Sequence, residues 1–251
     1  MILKHIAFIH MKSFFGALLF LFSLSSYAYA QNNLKVVVFG DSLTSGYQLQ
    51  ANESYANKLY YKLKEVGYTN VEVVNMSVPG QTTNSGVGAV REVLAKRPDI
   101  VIVQLGMNDA LRGVSTDLIY KNLIDIIGEL QRHRVYVILM GAKAPESMGH
   151  TYVRHLDAVF ERLVGFYRVP FYPNVMEGIG NNPSLTLADG FRPNGKGIHF
   201  MVESTYLLVD AALRWKWKDL AADSGYVSAD GEALPLAMPP TAEPPAQPPI
   251  R

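Results

Sequence analysis

Residues 35–46 read KVVVFGDSLTSG, an apolar run that ends in a glycine, an acid and a serine. The β-branched run predicts a buried strand over 35–39, because such side chains pack well on a pleated surface. A serine directly beyond a strand and flanked by glycines is presented at the carboxyl end of that strand, with its backbone N–H turned inward. Ser42 is therefore a candidate functional residue.

The sequence on both sides of this run alternates between strand and helix patterns. Further strands are predicted over 71–74, 100–105, 135–140 and near 170–172. Helices are predicted over 55–65, 87–96, 117–132, 152–167 and 195–217. This alternation indicates an α/β protein, a three-layer α/β/α sandwich around a five-stranded parallel sheet. In such sheets the ligand crevice lies beyond the carboxyl ends of the strands, near the topological switch point.

The first thirty residues have a different character from the domain that follows. Residues 1–30 hold two lysines and no acid, followed by a short apolar run, and they end in Ala28-Tyr29-Ala30. This pattern predicts a signal peptide cut after Ala30, and hence a periplasmic or secreted protein without an integral membrane span after cleavage. A retained anchor is the alternative, and Met11 is a second candidate start.

The opposite end of the chain is rich in proline. The domain is predicted over 31–220 and a tail over 221–251, and seven of the 14 prolines fall in 235–251. We expect this tail to be extended and disordered, because such a composition cannot pack a core. A dispensable tail is favoured over a cell-wall spacer.

Charge and composition exclude several classes of function. Without the leader, 21 basic residues face 22 acidic ones, a formal charge of −1. This balance gives no electrostatic reason to bind nucleic acid or an anionic membrane surface. The chain has no cysteine, so disulfides and thiolate metal sites are excluded. The oligomeric state does not follow from these numbers.

Polar candidates follow the other predicted strands as well. Gly80 comes after the second strand and allows close backbone approach, so that its N–H can donate to a ligand oxygen. Asn108 comes after the third strand and offers an amide donor, and Asp189 precedes the last helix. Taken singly, each of these has an ordinary alternative as a turn or a helix cap. Their shared position at strand ends predicts one site.

The motifs at these positions resemble those of the SGNH (GDSL) hydrolase family. They are GDSL at 40–43, LGMNDALRG at 105–113 and NPSL at 182–185. The resemblance covers roughly residues 34–217 and is strongest to the small bacterial arylesterase, acyl thioesterase and lysophospholipase branch. It implies a flavodoxin-like fold, the SGNH hydrolase fold, and a small-molecule acyl ester or thioester as substrate.

The resemblance also implies a role for each candidate residue. Ser42 is the nucleophile, and its amide forms an oxyanion hole with the Gly80 N–H and the Asn108 side chain. Asp189 is the aspartate of the catalytic triad. Acyl transfer needs a nucleophile, a base and donors to the tetrahedral oxyanion, so neither a metal nor an organic cofactor is required.

The sequence departs from the family pattern at the catalytic base. The histidine of the family falls at position 192, where this chain has arginine. Arginine stays protonated in proteins and cannot act as a general base, so Arg192 is expected to pair with Asp189 instead. His150 and His199 are the candidates for a substitute base. The two other histidines of the domain are expected at the wrong sheet edge and on a helix surface.

Two functions from different classes fit this pattern. The first is an exported serine esterase, thioesterase or lysophospholipase-like hydrolase, impaired because the catalytic histidine is replaced by Arg192. The alternative is a non-catalytic binding module for acyl esters or acylated glycans. A phosphate-binding crevice that uses Arg192 is a third interpretation.

Overall fold

The computed structural model describes residues 33–141 and 143–223. Within them lie five strands: β1 (Leu34–Gly40), β2 (Val71–Asn75), β3 (Ile100–Gln104), β4 (Tyr136–Met140) and β5 (Phe171–Tyr172). All pair in parallel, in the order β2-β1-β3-β4-β5. The predicted α/β fold is confirmed, and the strand order is that of flavodoxin-like sheets.

Helices connect these strands. The same residues contain α1 (Tyr55–Glu65), α2 (Thr83–Ala95), α3 (Met107–Leu111), α4 (Thr116–Arg132), α5 (His150–Tyr167) and α6 (Gly195–Asp223). Short 3₁₀ turns occupy Ala51–Glu53 and Glu146–Met148. Helix α3 was not predicted, and α6 runs past its predicted end, so residues 221–223 of the predicted tail are helical.

Alternating side chains of β1 build the cores on the two faces of the sheet. Val36 and Val38 pack with α1 and α6 on one face, whereas Val37 and Phe39 pack with α2, α4 and α5 on the other. All five residues of β3 are buried, as expected for a central strand covered on both faces. The result is the predicted three-layer sandwich.

Helix α4 shows how the sequence pattern produces this packing. Its predicted inward residues are Leu123, Ile126, Ile127 and Leu130, and each is fully buried. Burial of each such side chain contributes roughly 1.5–3 kcal/mol relative to exposure. The helix begins where the Ser115 hydroxyl accepts the amide of Leu118, which satisfies one of the free donors of the first turn.

The sheet topology fixes where a ligand crevice can form. Strand β1 pairs with β2 on one side and with β3 on the other, so the chain changes direction across the sheet at β1. Such a switch point leaves an opening beyond the carboxyl ends of the strands. The residues that follow β1, β2 and β3 all lie at this edge.

The predicted signal peptide, residues 1–30, and the proline-rich stretch 235–251 lie outside the described residues. In the part of the chain with assigned structure, no helix combines the length and apolarity needed to cross a membrane.

Candidate active site

The turn after β1 holds Ser42 in a defined position. The strand ends at Gly40, where an added Cβ would collide with the Thr44 hydroxyl. The buried carboxylate of Asp41 accepts the amide of Leu43 through Oδ1 at 2.9 Å and so shapes the turn. Ser42 is half-buried, and its amide donates to no other described residue. That amide is therefore available to a ligand in the crevice.

Asn108 joins the loops that follow the first three strands. Its side-chain nitrogen Nδ2 lies 3.0 Å from Asp41 Oδ2 and 3.1 Å from the carbonyl oxygen of Gln81. Asp41 directly precedes Ser42, and Gln81 directly follows Gly80. The structure thus brings the three predicted oxyanion-hole residues to one edge of the sheet.

The residue after Asn108 anchors this cluster in the core. The buried Asp109 carboxylate accepts the amide of Thr83 at 2.8 Å and its hydroxyl at 2.7 Å. The Thr83 hydroxyl in turn accepts the side-chain amide of Asn122 on α4 at 3.1 Å. Hydrogen bonds to charged groups contribute about 1.5–3 kcal/mol each, so α3 is held firmly against α2.

Gly80 adopts a conformation that favours glycine. Its φ is +80°, in the left-handed region, while an added Cβ would meet nothing closer than Arg112 Nη2 at 3.9 Å. Glycine is therefore favoured because a residue with a Cβ would be strained in this backbone conformation, and not because space is lacking. The Gly80 carbonyl accepts a hydrogen bond from Arg112 Nη2 at 3.3 Å, and its amide has no acceptor among the residues with assigned structure.

The remaining predicted site residues lie on a self-contained turn before α6. Thr186 and Pro193 form an isolated antiparallel bridge, and the Leu187 amide donates to the Arg192 carbonyl at 2.8 Å. The tip of this turn, residues 188–190, is exposed. The turn closes through its own backbone and not through the main sheet.

Asp189 and Arg192 form the expected ion pair. Arg192 Nε lies 2.5 Å from Asp189 Oδ2, while the amides of Phe191 and Arg192 both donate to Oδ1 at 2.9 Å. Partial burial alone would raise the pKa of Asp189, but these two amides and the guanidinium lower it below its usual value. The same ion pair outweighs burial and raises the pKa of Arg192. Position 192 therefore offers no proton acceptor.

An aromatic contact places this turn beside the nucleophile loop. The guanidinium of Arg192 lies over the ring of Tyr47, 4.4 Å from its centroid, and Tyr47 is five residues beyond Ser42. A Cβ on Gly195 would also collide with Glu53, so the start of α6 packs against the same loop. No hydrogen bond joins Ser42 to Asp189 or Arg192 in the described residues.

The histidines of the domain take no part in this cluster. All four are exposed: His133, His150, His155 and His199. His133 follows α4 at the amino side of β4, as expected, and His155 lies inside α5. His150 begins α5 and His199 lies in the second turn of α6. None of the four makes a hydrogen bond to Ser42 within the assigned structure.

Asp41 and Tyr47 are site residues that the sequence analysis missed. Asp41 is fully buried, and burial raises the pKa of its carboxyl to about 7, against the effect of hydrogen bonds from Leu43, Gln104 and Asn108. The signal for Asp41 was its position next to the nucleophile in Gly-Asp-Ser. Tyr47 carries no comparable signal, because its role depends on a contact with a distant turn.

These residues together bring most of the polar groups of the predicted site to one edge of the sheet. A nucleophile candidate, two free backbone donors and an asparagine amide meet at one edge, and a carboxylate stands nearby with an arginine in place of a base. In the residues that the structure describes, no group of three or more histidine, aspartate or glutamate side chains could hold a metal ion.

Comparison with known proteins finds a matching family and similar enzymes. Residues 38–200 match the model of the GDSL-like Lipase/Acylhydrolase family. The arylesterase of Vibrio mimicus is 30% identical over 188 residues, which cover 74% of this chain and 92% of the relative. The thioesterase 1/protease 1/lysophospholipase L1 of Escherichia coli strain K12 is 29% identical over 186 residues, covering 74% and 86% of the two chains.

A solved structure shows the same architecture. The crystal structure of AlinE4, an SGNH-hydrolase family esterase, superposes with a TM-score of 0.61 at 35% identity. The match covers 72% of this chain and 97% of that protein. The similarity therefore extends over nearly the whole of the solved relative.

Proposed function

The chain belongs to the GDSL-like lipase/acylhydrolase family, and we propose that it is an exported serine hydrolase of acyl esters or thioesters whose turnover is limited by Arg192. The observation that carries this proposal is the pair of hydrogen bonds made by Asn108. They join the loops of Ser42 and Gly80, whose amides are left free to bind an oxyanion. The named activities of the relatives, arylesterase and thioesterase/lysophospholipase, support this substrate class.

In the proposed reaction the Ser42 hydroxyl oxygen attacks the carbonyl carbon of the ester. A bond forms between Oγ and that carbon, and the carbonyl electrons move onto oxygen. The amides of Ser42 and Gly80 stabilise this oxyanion, together with Asn108. The Ser42 proton passes to solvent, the tetrahedral intermediate collapses, and the bond from the carbonyl carbon to the leaving oxygen or sulfur breaks. The leaving alkoxide or thiolate takes a proton from water. A second water then hydrolyses the acyl-enzyme, which regenerates Ser42 and releases the acid.

The slow step in this scheme is removal of the Ser42 proton. A triad histidine accepts that proton and returns it to the leaving group, whereas a guanidinium does neither. In the serine protease subtilisin, loss of the base costs about as much as loss of the whole triad, and roughly 10³–10⁴ of acceleration remains from the oxyanion hole and binding. We expect this chain to retain an activity of that residual kind.

A second function is favoured by the ion pair itself. Arg192 fills the place of the base and ties up the Asp189 carboxylate at 2.5 Å, which suits a crevice that binds without turning over. Such a module would hold an acyl ester or an acylated glycan against the same amides.

One assay separates the two functions. Hydrolysis of p-nitrophenyl acetate by the purified protein is compared with that of Ser42→Ala, which keeps the fold and removes the nucleophile. A rate above that of Ser42→Ala supports the hydrolase. Equal rates, combined with saturable binding of the ester, support the binding module.

We also propose that the protein acts in the periplasm or outside the cell. The support is the basic, apolar and small-residue pattern of residues 1–30, which is typical of a secretory signal.

A further inference from the structure

One carboxyl group links the nucleophile turn to the oxyanion asparagine. Asp41 accepts the Leu43 amide through Oδ1 at 2.9 Å and the Asn108 side-chain amide through Oδ2 at 3.0 Å. Its side chain is fully buried, and the first of these bonds shapes the turn that presents Ser42. A change at this carboxyl therefore reaches both parts of the site directly.

The amide of Asn108 has two hydrogens, and both have an acceptor. One acceptor is Asp41 Oδ2 at 3.0 Å and the other is the Gln81 carbonyl at 3.1 Å. An oxyanion in the crevice needs one of these hydrogens, so it competes with an existing partner. The carboxylate is the stronger acceptor of the two while it is ionised, because charge-assisted hydrogen bonds are roughly twice as strong as neutral ones.

Buried polar atoms without partners lie around this pair. In the described residues they are Gln81 Oε1, Gln104 Nε2 and Ser45 Oγ. Gln104 is in contact with Asp41, since its Oε1 accepts the Asp41 amide at 3.4 Å, and Gln81 provides the second acceptor of Asn108. Such groups are rare in native proteins, and here they lie beside the residues that hold the Asn108 amide.

We propose that Asp41 is the positioning residue of the oxyanion hole: as a carboxylate it holds the Asn108 amide, and on protonation it releases one N–H of that amide to the crevice. A protonated carboxyl oxygen is a weaker acceptor than a carboxylate, which explains the release. The catalytic consequence rests on the proposed function, whereas the hydrogen-bond exchange does not.

Protonation of Asp41 has a second effect, because it removes a negative charge beside the oxyanion hole. A carboxylate one residue from Ser42 repels a negative charge that develops in the oxyanion hole, and a neutral carboxyl does not. Asp109, on α3, is the charged group that faces Asp41, and its own carboxylate is held by Thr83. Burial in the first place, and then the charge of Asp109, raise the pKa of Asp41 to about 7, so both forms are populated near neutral pH.

The release of the Asn108 N–H from Asp41 is measurable by NMR without any substrate. The two side-chain amide protons of Asn108, identified by their loss in Asn108→Ala, are followed in the unmodified protein from about pH 5 to about pH 9. One of them should shift in a single step with its midpoint near 7, together with the carboxyl carbon of Asp41. The other proton, bound to the Gln81 carbonyl, should move much less.

Two variants test the assignment. Asp41→Asn keeps the size of the side chain and should abolish the step at Asn108. Asp99→Asn is the matched control, because Asp99 also accepts a backbone amide, that of Lys35 at 2.8 Å, but at the opposite edge of the sheet. It should leave the step unchanged.

The proposal is overturned if the Asn108 protons stay constant while the Asp41 carboxyl titrates, or if the step persists in Asp41→Asn. The first of these outcomes is read in the unmodified protein, so it does not depend on the folding of a variant. A protein that shows the step but hydrolyses no ester would refute the proposed function and leave the role of Asp41 standing.

Discussion

Restoring a histidine at position 192 should restore the missing base. In the structure Asp189 Oδ1 is held by the amides of Phe191 and Arg192, which do not depend on the side chain at 192. Oδ2 binds the guanidinium at 2.5 Å and becomes free when that group is removed. An imidazole at 192 therefore finds a carboxylate that is already oriented to accept its Nδ1–H.

The size of the gain follows from the chemistry of a positioned base. General-base catalysis contributes about 10² to 10⁴ in rate, so Arg192→His should raise aryl ester hydrolysis by at least ~10². This corresponds to about 3–5 kcal/mol of barrier. The cost in stability is smaller: the exposed ion pair contributes about 0.2–1 kcal/mol and the stacking on Tyr47 about 0.5–1 kcal/mol. The variant should remain folded.

The assay is hydrolysis of p-nitrophenyl acetate, with circular dichroism to check the fold. Arg192→Gln is the matched control, because it also breaks the ion pair but cannot accept a proton at neutral pH. Ser42→Ala combined with Arg192→His should abolish the gain. If Arg192→His stays at the background rate with its fold intact, the reasoning is refuted and the binding module becomes the better function. If the unmodified protein already turns over at about 1 to 10³ per second, another base acts, and His150→Ala and His199→Ala identify it.

Three further predictions concern the oxyanion asparagine, the buried carboxyl and the leader. In the Arg192→His background, Asn108→Ala should lower kcat by about 10²–10³, the usual cost of one oxyanion donor, and an unchanged kcat would exclude Asn108 from the hole. Asp41 has a folded pKa of about 7 against its usual 3.8, so the folded state keeps a proton that the unfolded chain loses, and its contribution to stability falls as pH rises between these values. In urea unfolding, the free energy of unfolding of Asp41→Asn should rise by roughly 4 kcal/mol relative to that of the unmodified protein as the pH goes from about 4 to about 8. A difference in unfolding free energy that stays constant over this range would contradict this. Mass spectrometry of the exported protein should show Gln31 as the new amino terminus after cleavage at Ala30, whereas an intact leader in a membrane fraction would contradict it.

The main elements of the fold were predictable because their signals are local. The five residues of β3 read as an uninterrupted apolar run except for its last residue, and all five are buried. The apolar stripe of α4 recurs at helical spacing and faces the core. Helix α3 was missed because it is only five residues long and depends on the hydrogen bonds between Asp109 and Thr83, which are 26 residues apart.

In the candidate site, too, the local contacts were predictable from the sequence and the long-range contacts were not. The pairing of Asp189 with Arg192 was predictable, since the two residues share one turn at a separation of three. The bond between Asn108 and Asp41 spans 67 residues, and nothing in either local sequence specifies it. The stacking of Arg192 on Tyr47 is equally non-local, so no local pattern singles out Tyr47.

The turn 186–193 has an evolutionary consequence. It closes through the bridge between Thr186 and Pro193 and exposes its tip, while the oxyanion cluster is anchored in the core through Asp109. Mutations at 192 can therefore persist or revert at a small cost in stability, whereas changes near Asp109 are subject to selection for folding itself. Histidine and arginine codons can differ by a single nucleotide. Under the proposed function, a lineage can thus cross between a fast and a slow form of this domain in one step, in either direction, while the rest of the crevice is preserved by the demands of the fold.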